Sequence, residues 1–168
     1  MKKLVLLDAD VIIDLHALGL FERILNGYEV QVTKTVLGEA REFKSGGKRT
    51  KIDIRDRIRV IEGIGVDHLK AIQREARDAR LGIDPGELES IAYLTINEEI
   101  IFCTCDKAAI KLISFVNLEE RSISIEKALR NIGYTVKNLY PRHWEKTFKG
   151  SVQDGKSLRI QLKKLTGG

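Results

Sequence analysis

The sequence predicts an α/β domain in which helices cover a mostly parallel sheet. Three observations carry that reading. Strand-like and helix-like segments alternate in the order βαβα(β)ααβαα, the pattern of parallel strands joined by helical crossovers. Two strand candidates, residues 3–7 and 100–104, are apolar runs of the kind buried on both faces of a sheet. With 168 residues, 43% of them hydrophobic, the chain has enough apolar side chains to fill one core.

Lys3 to Leu7, closed by Asp8, forms the first strand. From Val11 the residues Ile12, Leu15, Leu18, Leu20, Phe21, Ile24 and Leu25 recur at helical spacing, with Asp10 placed to cap the first free amides. Tyr28 to Val32 alternates with β-branched content, and Thr33 or Thr35 caps a second helix through Val36, Leu37, Ala40 and Phe43. Lys44 to Asp53 holds Gly46, Gly47 and four basic residues, and reads as a flexible exposed loop. Ile58 to Ile61 forms a short strand and Asp67 to Leu81 a helix. Asp84-Pro85-Gly86 opens a helix running to about Asn97, since proline suits a first turn. Ile100 to Thr104 is the second strongly apolar strand. Residues 107–116 and 121–132 are predicted helical, residues 133–154 irregular, and residues 155–165 a last basic helix. Only two prolines and no internal repeat occur, so nothing marks a linker. The organisation expected is a folded unit over residues 1–132, with residues 133–168 as a basic extension packed on it or projecting from it.

The formal net charge of +5 is unevenly placed. Residues 1–132 carry 21 Lys+Arg against 22 Asp+Glu, whereas residues 133–168 carry 8 against 2. A basic segment of that kind suits nucleic acid or another acidic partner. No apolar run approaches the roughly 20 residues of a membrane span, and none is expected to enter a membrane. The amino terminus lacks the apolar stretch and small-residue cleavage site of a secretory leader. Cys103 and Cys105 cannot found a disulfide framework. A cytoplasmic location is the expectation.

Chemistry is concentrated in the acids. Asp8 and Asp106 each stand just beyond an apolar strand, where open α/β sheets bind ligands. Glu39 lies in the second helix next to Gly38, which leaves room for a close neighbour. Glu87 opens the helix after Pro85, with Glu89 two residues on. Taken singly, each has an ordinary role as a turn residue, a solvated glutamate or a partner of the helix dipole. The ordered set says more than its members.

That set resembles the PIN-domain nucleases. The resemblance lies in Leu6-Leu7-Asp8-Ala9-Asp10-Val11-Ile12-Ile13, Val36-Leu37-Gly38-Glu39, Gly86-Glu87-Leu88-Glu89-Ser90-Ile91-Ala92 and Thr104-Cys105-Asp106-Lys107-Ala108-Ala109. It implies a three-layer α/β/α fold and a metal-dependent ribonuclease holding Mg²⁺ or Mn²⁺ on Asp8, Glu39, Glu87 and Asp106. Asp10 falls where the family often has Asn, as a supporting polar group, and Glu89 is the alternative to Glu87, since many members carry Asp there. The resemblance further implies RNA as substrate, a homodimer, and, for a toxin of a toxin–antitoxin pair, a cognate antitoxin protein as partner.

Clustered carboxylates suit such chemistry because Mg²⁺ takes oxygen ligands octahedrally and keeps waters for exchange with phosphate oxygens. Two other readings stand beside it. Leu7-Asp8-Ala9-Asp10-Val11-Ile12 is also similar to the first motif of haloacid-dehalogenase-like phosphatases, with Asp8 as nucleophile. A PIN-like domain that binds RNA or protein without cutting is the other. Candidate phosphate contacts are Lys44, Lys48, Arg49, Lys51 and Lys107, and in the extension Lys137, Arg142, Lys146 and Lys149 interleaved with Tyr134, Tyr140, His143 and Trp144.

Overall fold

A short strand with every other side chain turned to the opposite face organises the protein. In β1 (Lys3–Leu7), Val5 and Leu7 point into one apolar cluster and Leu6 into another. Its neighbours are β2 (Tyr28–Thr33) on one side and β6 (Ile100–Cys103) on the other, each parallel to it. β5 (Arg59–Ile61) extends the sheet beyond β2, and β7 (Ser122–Ile123) extends it beyond β6. The computed structural model describes residues 1–167, and its central sheet is therefore parallel throughout, in the order β5-β2-β1-β6-β7. Gly168, the end of the basic extension, lies outside the described residues.

Helices cover both faces, giving three layers. One face is packed by α1 (Ala9–Ala17), α2 (Phe21–Gly27), α3 (Lys34–Glu39) and α7 (Ile125–Asn131), through Val11, Ile12, Leu15, Phe21, Ile24, Val36 and Leu129. The other is packed by α4 (Val66–Asp78), α5 (Pro85–Ile96) and α6 (Lys107–Phe115), through Ile72, Ile91, Leu94, Leu112 and Ile113. No helix among the described residues is long and apolar enough to cross a membrane.

Several boundaries differ from the sequence reading, each for a local reason. The helix expected from Val11 to Leu25 is broken at Gly19, whose φ of +69° is left-handed, and the chain restarts at Phe21. Asp8, not Asp10, caps α1, and its carboxylate accepts from the Ala9 N–H. Thr33, not Thr35, caps α3. That helix ends at Glu39, and Phe43 belongs to β3 (Glu42–Ser45). β3 pairs antiparallel with β4 (Lys48–Lys51), so the expected loop is a hairpin turned by Gly46 and Gly47, both with positive φ.

The extension also differs. Residues 134–140 are irregular, but α8 starts at Glu145, ten residues before the expected helix, and continues to Leu165. It lies against α6 with Phe148, Ser151 and Gly155 buried. A Cβ at Gly155 would stand 2.4 Å from the Lys111 carbonyl oxygen, a contact that only glycine permits. Ser114 Oγ donates to the Val152 carbonyl at 2.7 Å across the same seam. Leu158 and Leu162 then close the apolar cluster beneath.

Candidate active site at the carboxyl edge of the sheet

The chain leaves β1 toward β2 and β5, then crosses back to place β6 on the other side of β1. Strand order thus reverses between β1 and β6, and open α/β sheets take their ligands in the crevice beyond the carboxyl ends at such a point. Asp8 and Asp106 stand there. Each is also the cap of the helix that follows: Asp8 Oδ1 accepts from Ala9 N–H at 2.8 Å, and Asp106 Oδ1 accepts from Ala109 N–H at 2.8 Å. Thr104 links them. Its hydroxyl donates to Asp8 Oδ2 at 3.1 Å and accepts from the Asp106 N–H at 3.2 Å.

Glu87 comes to the same place from the opposite layer. Asp84 and Pro85 start α5, and Glu87 Oε2 accepts from the Asp84 N–H at 3.3 Å, which fixes the glutamate in the first turn. Asp8 and Glu87 are both buried. Burial, followed by the repulsion of Asp8 and Asp106, pushes the Glu87 carboxyl up to about 8. Burial likewise pushes Asp8 up to about 7, against the opposing hydrogen bonds from Ala9 and Thr104.

Glu39 occupies the flank. Its carboxyl is raised by burial and then by the Asp84 charge, with the Gly86 backbone N–H acting in the other direction. Gly86 makes room for it, since a Cβ there would stand 2.7 Å from Glu39 Oε2. Asp10 lies in the first turn of α1, exposed, where its charge reaches both Asp8 and Glu39. Glu89 turns elsewhere: it accepts from Thr35 Oγ1 at 2.8 Å and lines a separate surface cavity with Lys34, Ile61 and Leu69. Asp8, Glu87 and Asp106 therefore act on one another, with Glu39 and Asp10 on the rim. All their donors are hard oxygens, a set suited to Mg²⁺ or Mn²⁺.

A second cluster went unread in the sequence. Asp14, on α1, is buried, and its Oδ2 accepts from His143 Nε2 at 2.6 Å and from Arg142 Nε at 2.8 Å, with Arg142 Nη2 in ion-pair contact at 2.5 Å. With Cys105 it forms a group of three, Asp14, Cys105 and His143, whose candidate ligand atoms all lie within 4.8 Å of one another. The four acids of the resemblance are spaced more widely than that. The Asp14 oxygen already accepts two hydrogen bonds, one from a guanidinium whose charge opposes a cation, so hydrogen bonds close this group. The detectable signal was Asp14 itself, a charged residue among Val11, Ile12 and Leu15 on an apolar stripe.

The basic candidates divide by register. In the hairpin, Phe43 turns inward to His16, with ring centroids 5.6 Å apart, while Lys44 and Arg49 stand directly opposite each other in the exposed register. A surface cavity of about 740 Å³ lies at the opposite edge of the sheet, lined by Lys2, Tyr28 and Arg59, away from Asp8, Glu39, Glu87 and Asp106. Comparison with known protein families, curated proteins and solved structures finds no match to this chain.

Proposed function

We propose that the chain is a PIN-type, Mg²⁺- or Mn²⁺-dependent ribonuclease that hydrolyses phosphodiester bonds of single-stranded RNA in the crevice between β1 and β6. The observation that carries this reading is the trio Asp8, Glu87 and Asp106 at the strand switch point, two of them buried acids whose carboxyls are pushed up first by burial and then by the charges of neighbouring acids. Asp8 and Asp106 would hold the ion, with Glu87 and Glu39 as further ligands directly or through water. Bound there, a divalent ion would lower the pKa of an attacking water and offset charge gathering on the reacting phosphate. Thr104 fixes the two strand-end acids relative to each other, and the apolar layers behind them keep their carboxylates from relaxing into solvent. Without the ion, Glu87, anchored through one oxygen, takes up a proton near neutral pH.

The phosphatase alternative asks Asp8 to attack as a free carboxylate. It gives no part to Glu87 and Asp106, whose carboxyls interact with Asp8 at the same strand edge. The test is cleavage of a labelled single-stranded RNA. Cutting should stop in EDTA, return with Mg²⁺ or Mn²⁺, and be lost in Asp8→Asn. Equal cutting in EDTA would overturn the reading.

A further inference from the structure

We propose that Arg142 is the phosphate contact of this site, a guanidinium held by Asp14 and His143 at the rim of the acid crevice to receive a backbone phosphate of a single-stranded polynucleotide. The nature of the ligand rests on the nuclease reading above; the geometry rests on other residues. An acid cluster repels a polyanion, so a substrate phosphate needs a cation beside it. The charges that act on Asp8, Glu39 and Glu87 are all those of other carboxyls.

Arg142 supplies the missing sign. Two of its nitrogens, Nε and Nη2, bond Asp14 Oδ2, and that carboxylate is buried and shared with the fully buried His143 ring. One edge of the guanidinium is thereby fixed. The remaining nitrogen, Nη1, points to the rim, 3.9 Å from Asp10 Oδ2, and Asp10 is the acid whose charge reaches both Asp8 and Glu39. The guanidinium also acts on Cys105, the residue before Asp106. Its side chain is 45% exposed, so a ligand can reach the free edge. Arginine suits this double duty because its planar fork can bind a carboxylate along one edge and a phosphate along another; a lysine ammonium has no second edge. Asp14 and His143 are positioning residues. They explain why a turn just before α8, Pro141–His143, is tied to the first helix of the chain.

The test measures binding of a fluorescent single-stranded RNA to the full chain in EDTA across KCl concentrations, beside cleavage in Mg²⁺. Removing Arg142 alone would strand a buried Asp14 charge, so the variant is Asp14→Asn with Arg142→Gln. Loss of one phosphate contact should lower the slope of log K against log salt by about 0.7 and weaken binding roughly tenfold at low salt. Asp14→Asn alone keeps the cation but frees its orientation, so the slope should stay while the KM for cleavage rises. An unchanged slope in the folded double variant overturns the proposal. Should the double variant fail to fold, Arg142→Lys decides: affinity equal to wild type overturns it, and weaker affinity with an unchanged slope supports it. Wild-type RNA binding whose slope falls in the double variant, without any cutting, upholds the phosphate contact and removes the nuclease reading. Cutting by wild type with no slope change in the variant does the reverse. Wild type without salt-dependent RNA binding overturns both.

Discussion

The Thr104 hydroxyl donates to Asp8 Oδ2 at 3.1 Å, so a residue at the end of β6 holds the acid at the end of β1. Thr104 Oγ1 in turn accepts from the Asp106 N–H at 3.2 Å, so one hydroxyl bridges the two acids. Thr104→Val keeps the shape and removes both bonds. Cleavage should fall by about tenfold to a hundredfold, the range for lost outer-shell support of a metal ligand. A wild-type rate in that variant would make the bridge incidental.

Stability without metal should fall as pH rises. Asp8 and Glu87 titrate near 7 and 8 when folded, against ordinary carboxyl values of 3.8 and 4.5. Over that window the folded state binds more protons than the unfolded state. The stabilising contribution of the two groups is therefore complete below about pH 4 and is lost as pH climbs through their folded values. Melting in EDTA at several pH values reads this directly. Adding Mg²⁺ or Mn²⁺ should raise Tm more at about pH 8 than at about pH 6, because the ligands must be deprotonated. A metal-induced shift that is the same at both would contradict the assignment.

Asp8→Asn should separate function from stability. Asparagine caps a helix as well as aspartate and carries no charge to bury. We expect a gain of about 0.5–2 kcal/mol, together with a loss of about a thousandfold in cleavage, the worth of several kcal/mol of ion-mediated stabilisation. Chemical denaturation and single-turnover cleavage on the same preparation check both halves.

Gly86→Ala tests the flank. Alanine favours a helix over glycine by about 1 kcal/mol, but its Cβ would stand 2.7 Å from Glu39 Oε2 and 3.1 Å from Val36 Cγ2. The flexible carboxylate gives way first. Stability should change by less than about 1 kcal/mol while cleavage drops by up to about a hundredfold, the penalty of a misplaced group. A stable variant with full activity would remove Glu39 from the site.

Gly155→Ala addresses the extension, whose helix α8 fits against α6 through that glycine. A Cβ 2.4 Å from the Lys111 carbonyl must part the helices, at a cost of about 1–3 kcal/mol, or several degrees in Tm. Truncation before Glu145 goes further. It uncovers the α6 side of the apolar cluster that Leu158 and Leu162 close, and should leave a protein that aggregates.

What the sequence made legible was what hydrophobic period encodes. β1, β2 and β6, and helices α4, α5 and α6, stand within a few residues of their expected places because their apolar residues alone select strand or helix. The hairpin escaped because β3 and β4 are almost wholly polar, with Phe43 the lone inward apolar side chain, although Gly46-Gly47 is a two-residue turn signal. The start of α8 escaped because Ser151 and Gly155 mark its buried stripe by being small, not apolar. For the site, sequence reading supplied Asp8, Glu39, Glu87 and Asp106 through a resemblance. It placed Glu87 before Glu89 without sight of their surroundings, since the neighbours that separate the two, Asp8 and Thr35, lie far away in the chain. Asp14, Arg142 and His143 meet only through tertiary packing, and no spacing rule links them.

The register that sets Leu7 beside Cys103 bears on how the protein is made. β1 leaves the ribosome before its partner β6, which emerges only after both strands on the β2 side, β2 and β5, and two helices of the opposite layer. Until then Asp8 waits at a half-paired strand end and Asp106 is still unsynthesised. A nascent chain thus carries Asp8 and Asp106 apart, and Thr104 can join them only when translation has passed β6 and the strand has closed on β1.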